Sequence, residues 1–160
     1  MSLPHRIKMP SKLVIDIQVA SPALEKKLGA IASSTLIKKW VNTAIEQSGV
    51  ITLRFVNCAE GRKLNAAYRH KDKATNVLTF PYELTKKTVI ADIIFCLPVI
   101  QEEAYDQGKA VKAHLAHLVI HGCLHAQGLD HEIPKEAQKM ESHEIDLLQQ
   151  LGFTDPYAPA

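Results

Sequence analysis

Residues His121–His131 read HGCLHAQGLDH. His121 and His125 are four positions apart. On an α-helix that spacing puts both imidazoles on one face, one turn apart, where a single metal ion can bridge them. Gly128 is placed to end such a helix, because glycine takes up positive φ at little steric cost. The turn brings His131 back toward the two helical histidines. Three neutral imidazoles with an open fourth position make a catalytic zinc site, whereas structural zinc is usually closed by four ligands, mostly Cys. The segment therefore predicts Zn2+ held by His121, His125 and His131. Two His at this spacing alone are often only a polar helix face. The glycine and the third histidine beyond it carry the argument.

Upstream, a helical pattern runs from about Ile100 to Ala126, with Gly108 as an interruption. At ~100° per residue, His114, His117, His121 and His125 share one narrow arc. His114 is ~10 Å along the axis from His121, too far to share its metal. His117 is in reach by spacing and reads as a supporting or solvent-facing residue, with a ligand or substrate role as the minor alternative. Asp130 can accept a hydrogen bond from a ligand imidazole or orient a catalytic water, or bond its own turn backbone. His5 and His143 read as surface residues.

Working outward, KLVIDIQVA (Lys12–Ala20) alternates and is β-rich, so it predicts a strand. Ser21-Pro22 opens a short helix through Leu28. Ser33 or Ser34 caps another to about Gln47, with Leu36, Ile37, Trp40, Val41, Ala44 and Ile45 at helical spacing. Val50–Asn57 is a second strand and Glu60–Arg69 a helix with Leu64, Ala67 and Tyr68 on one face. His70–Thr75 is a loop. Asn76–Phe80 is a third strand, stopped by Pro81, and Thr88–Leu97 a fourth, apolar enough to lie centrally. Pro134 starts a last helix that Gly152 follows. The order predicts an α+β fold: a small, mostly four-stranded mixed sheet covered by helices, with the zinc helix in the C-terminal half.

The 160 residues are 46% hydrophobic and 22% charged, which suits a single domain over residues 1–160 with its own core. Residues 1–11 read as a flexible arm or an expression remnant. A net charge of +2 permits a nucleic-acid partner only through a local basic surface. The apolar runs are far short of the ~20 residues of a membrane span. The N-terminus lacks the apolar region and cleavage site of a signal peptide. Cys58, Cys96 and Cys123 are dispersed, with no CxxC pair, and read as reduced thiols of a cytoplasmic protein.

The spacing HxxxHxxGxxH resembles the metzincin peptidase motif HExxHxxGxxH, in which Glu is the general base. Here Gly122 stands at that position, so the peptidase base is missing while the ligands remain. The fuller run HGxLHxxGxDH resembles the signature of the YbeY family, bacterial metalloproteins described as endoribonucleases in rRNA maturation. Leu64-Asn65, Tyr68-Arg69, Lys71-Asp72, TNVLTFP (Thr75–Pro81) and Ala91-Asp92-Ile93 resemble further segments of that family in the same order. Asn76 stands where the family usually has Asp, Thr79 where it has Ser, and Ala91 where it has Gly.

The resemblance implies a zinc-dependent, single-strand-specific endoribonuclease acting in 16S rRNA 3′-end processing and ribosome quality control. Its partners would be precursor rRNA, ribosomal particles and other ribosome-assembly proteins. The catalytic set is Arg69, His121 and Asp130. A metal-activated nucleophile, water or the RNA's own 2′-hydroxyl, would attack phosphorus. Arg69 matches the family's functional arginine, and its planar guanidinium can grip two phosphoryl oxygens. His70, Lys71 and Lys73 extend a basic edge beside it; Lys38-Lys39 and Lys86-Lys87 are weaker candidates. Tyr68 and Phe80 read as core. Two other readings remain open. One is a metallopeptidase or amidohydrolase using Asp130, Glu132 or Glu141 as base. The other is a zinc-stabilised module that binds ribosomal particles without catalysis.

Overall fold

The computed structural model describes residues 12–71, 74–129 and 133–158. Four strands form one mixed sheet in the order β1-β2-β4-β3. They are β1 (Leu13–Val19), β2 (Ser48–Val56), β3 (Val77–Leu84) and β4 (Thr88–Cys96). The pairs β1·β2 and β2·β4 are parallel, and β3·β4 is antiparallel. Parallel neighbours need a crossover. The first is supplied by α1 (Pro22–Ile31) and α2 (Ser34–Ala44), capped by the Ser21 and Ser33 hydroxyls. The second is α3 (Cys58–Arg69) followed by β3. The chain then forms α4 (Leu97–Asp106), α5 (Val111–Ala126) and α6 (Pro134–Gln150). This is the expected α+β arrangement.

Strand alternation divides the sheet into two faces. Ile51, Leu53 and Phe55 of β2 and Val89, Ala91, Ile93 and Phe95 of β4 enter the main core, with α2, α5 and α6. Phe55 and Phe95 stack at 5.0 Å. On the other face Val56, Leu78, Ile94 and Cys96 form a smaller cluster with Leu64 of α3. Helix α5 is the central helix, with ten of its sixteen residues buried.

Three expectations change. Pro81 does not stop β3, which continues to Leu84 with a register shift between Pro81 and Glu83. A proline is tolerated there because β3 is the sheet's last strand and pairs only with β4. The helical pattern begins at Leu97 and not at Ile100, and it divides at the expected interruption, Gly108, into α4 and α5. Finally, α2 stops at Ala44 and β2 begins at Ser48, so the helix ends earlier and the strand starts earlier than expected, with the turn over residues 45–47.

Gly49 faces Val89 in the β2·β4 register and has φ +131°. A Cβ there would stand 2.0 Å from the Val89 carbonyl oxygen. Gly49→Ala is therefore expected to cost ~2 kcal/mol or more, lowering the thermal unfolding midpoint by roughly 4–8 °C. An unchanged midpoint in a melting experiment would refute this account of the β2·β4 edge.

Candidate active site and metal centre

The end of α5 is built as its sequence suggests. Gly128 has φ +90°. Its N–H donates to the His125 carbonyl at 3.0 Å, and the Leu129 N–H to the Leu124 carbonyl at 3.2 Å. These two bonds form a Schellman turn, which satisfies the last carbonyls of the helix. Asp130, His131 and Glu132 lie outside the described residues, as do Asp72 and Lys73.

His121 and His125 stand one turn apart with ring centroids 6.3 Å from one another. Both line a cleft of about 590 Å3. Its opposite wall is Tyr68 and Arg69 from the last turn of α3 and residues Thr75–Phe80 entering β3. Arg69, more than fifty residues from His121 in sequence, thus shares its cleft. Arg69, which lines the cleft, and the next two residues, His70 and Lys71, are all exposed. His70 ends α3 in the left-handed region at φ 57°. Tyr68 is not core: it is 66% exposed. Its ring meets Phe80 edge-on at 5.3 Å. Among the residues of α3 only Gly61 and Asn65 are buried, and its last three, Ala67, Tyr68 and Arg69, are exposed.

The remaining wall residue with a polar network is Asn76. Its amide nitrogen donates to Glu103 at 3.1 Å, and its side-chain oxygen accepts the Val77 N–H at 2.7 Å. Glu103 also pairs with the buried His114 at 3.0 Å. An amide suits this place because it can donate to a carboxylate, which an ionised Asp cannot.

Behind the histidines is a carboxylate that sequence reasoning missed. Glu144 of α6 has a side chain only 1% exposed. His117 Nε2 lies 3.0 Å from it and His121 Nδ1 3.3 Å. The Tyr157 hydroxyl donates to it at 2.8 Å. Burial alone would push this carboxyl up. Hydrogen bonds from His117 and His121, then their charge, outweigh burial and hold it at about 2. Burial and the neighbouring Glu144 charge push the Tyr157 phenol up, so it stays a donor. A carboxylate only accepts, so His121 presents Nδ1–H to Glu144. Nε2 is then the nitrogen that can ligate a metal, the usual carboxylate–histidine–metal order. A signal for Glu144 existed: Met140, Glu144, Leu147 and Leu148 are the buried positions of α6, and Glu is the one charge among them.

The donor chemistry suits a metal ion. His117, His121 and Glu144 place ligand-type atoms within 4.8 Å of one another and could hold one. His121 and His125 offer a second, overlapping set that opens on the cleft. Of the other candidates, His143 is half-buried, and Glu141, Lys38, Lys39, Lys86 and Lys87 are exposed. Cys123 is buried.

The YbeY family model, described as endoribonuclease YbeY, matches residues 16–152. The chain belongs to the YbeY family. Similar relatives include the endoribonuclease YbeY of Polynucleobacter asymbioticus, 68% identical over 92% of this chain and 95% of its own. That of Janthinobacterium sp. is 48% identical, over 93% and 98%. A solution structure from Thermotoga maritima is 21% identical, covering 91% of this chain and 99% of its own at a TM-score of 0.48. As a member of this family of endoribonucleases the chain is an enzyme, a nuclease of the hydrolase class. Among the described residues, no helix is long and apolar enough to cross a membrane.

Within this YbeY-family fold, the glycine that replaces the peptidase glutamate has a packing cause. Gly122 is buried against β4, and a Cβ there would stand 2.8 Å from Cγ2 of Ile93. Gly122→Glu should therefore lose at least ~2 kcal/mol of stability and gain no peptidase activity, because the carboxylate would be driven into the sheet. Thermal melting with a casein-cleavage assay checks both parts. Peptide hydrolysis by a folded variant would contradict this packing account.

Proposed function

We propose that this chain is a zinc-dependent endoribonuclease that cuts single-stranded precursor rRNA, in 16S rRNA 3′-end processing and ribosome quality control. The observation that carries the reading is the shared cleft, where Arg69 faces His121 and His125. The names of its relatives, endoribonuclease YbeY, support RNA as the substrate. A cleft of about 590 Å3 has room for a phosphodiester with its flanking sugars. The exposed Tyr68 ring at its rim offers an unpaired base a stacking surface.

In this reading His121, His125 and His131 hold zinc, and the whole chain acts as one metal-dependent hydrolase domain in the cytoplasm. Bound zinc would supply Lewis acidity at a phosphoryl oxygen and lower the pKa of a water toward neutrality. Glu144 fixes the tautomer and tilt of His121, with His117 and Tyr157 holding Glu144. Arg69 grips the non-bridging oxygens as negative charge builds on phosphorus, and it stays charged at any working pH. Asp130, one residue before His131, orients the nucleophile or a ligand imidazole. The exposed His70 and Lys71 extend a basic edge along which an RNA backbone lies. Ribosomal particles and other assembly proteins are the expected partners.

The experiment compares wild type, His125→Ala and Arg69→Ala for zinc content and for cleavage of a single-stranded rRNA 3′-precursor fragment. Wild type should carry about one zinc, a three-histidine site. His125→Ala should lose both zinc and activity, and Arg69→Ala should keep zinc while cleavage falls by ~100-fold or more. Equal cleavage by all three would assign the activity to a contaminant and favour a non-catalytic ribosome-binding role.

Glu144→Gln separates the two metal sets. As an orienting group its loss should weaken zinc affinity by ~10–100-fold without abolishing binding. Complete loss of zinc in Glu144→Gln together with full retention in His125→Ala would move the ion to the inner His117–His121–Glu144 group.

A further inference from the structure

Cys58 and Cys96 are thirty-eight residues apart and read as independent thiols in the sequence. The fold brings their Sγ atoms to 3.9 Å. The cause is the parallel β2·β4 pairing, in which Val56 lies opposite Cys96. The chain leaving β2 turns into α3 two residues later, so Cys58 opens that helix beside the end of β4. Gly61, one turn along α3, keeps the helix close: a Cβ there would stand 3.5 Å from both Cβ and Sγ of Cys96. The two thiols differ in access, Cys58 being exposed and Cys96 1% exposed. An oxidant can reach one of them and not the other.

We propose that Cys58 and Cys96 are a redox modification site, forming a reversible intramolecular disulfide when a low-molecular-weight disulfide is present. The Cys58 thiolate attacks one sulfur of the small disulfide, whose S–S bond breaks. One small thiolate leaves with the bonding pair and takes a proton, and the other half stays on Cys58 as a mixed disulfide. Cys96 then gives its proton to solvent and attacks Cys58 Sγ, releasing the second small thiol. Two protein thiols are oxidised to one disulfide, and one small disulfide is reduced to two thiols. Burial pushes the Cys96 thiol up to about 11, which makes it a poor first attacker, and its part in the second step rests on the 3.9 Å approach to Cys58.

The bond would close a ring over residues 58–96. Every cleft-lining residue except His121 and His125 lies in that ring, Tyr68 and Arg69 among them. Oxidation would therefore pin both ends of the segment that carries the cleft's arginine wall.

The test treats the full reduced chain with excess glutathione disulfide and reads intact mass, peptide linkage and thermal midpoint. Wild type should lose two hydrogens, retain no glutathione and yield one peptide pair joining Cys58 to Cys96. Its midpoint should rise by ~5 °C or more, since a crosslink restricts the unfolded chain, and dithiothreitol should reverse the change. Cys96→Ser should instead retain glutathione on Cys58, and native Cys58→Ser should take up none. Wild type that keeps the glutathione adduct, crosslinks between chains, or stays fully reduced would overturn the proposal. None of these readouts involves RNA cleavage, so they stand or fall separately from the proposed reaction.

Discussion

Helix α5 can lie against β4 because Gly122 carries no side chain where the two elements cross at Ile93. That close approach lets one helix bury ten residues in the core and still hold its histidines at one edge. The buried face fixes the rotation of the helix, and rotation fixes where the imidazoles stand. A larger residue at this crossing would lift the helix and move His121 and His125 away from the β3 wall they face across the cleft. The same contact separates this motif from its peptidase counterpart: the second position is used for packing, so it cannot also carry a base.

The histidine stripe is supported from behind by carboxylates on neighbouring helices. Glu144 of α6 meets His117 and His121, and Glu103 of α4 meets His114. Each acid is itself tied down, Glu144 by Tyr157 and Glu103 by Asn76 on the cleft wall. Such pairs set ring orientation and tautomer, so α5 is held by packing on one side and by directed hydrogen bonds on the other. The C-terminal segment after α6 is part of this frame through Tyr157.

Much of the fold was legible because it depends on local rules. Alternation marked β1 and β2, a continuous apolar run marked β4, and Ser21, the Ser33-Ser34 pair, Pro134 and Gly152 marked helix ends. The misreadings were places where a neighbour decided. Pro81 is a strand breaker inside a sheet but not at an edge, and being at the edge depends on strand order. Tyr68 has core spacing on α3 but is exposed, because spacing does not say which turns of a helix a neighbour covers. The break at Gly108, by contrast, was legible as a glycine interruption, and it separates α4 from α5.

By itself the sequence determined the α+β class, the helix carrying His121 and His125, and the left-handed turn at Gly128. All of these follow from periodicity and from backbone freedom within a few residues. The resemblance of the His121–His131 and Thr75–Pro81 segments pointed to the family, to which the chain belongs. Only the tertiary structure decided that Arg69 stands across a cleft from the two histidines. It alone revealed that Glu144, held by Tyr157, braces His117 and His121 and that Cys58 touches Cys96. Those relations join residues tens of positions apart. They depend on strand order, helix rotation and close packing, which no local pattern encodes.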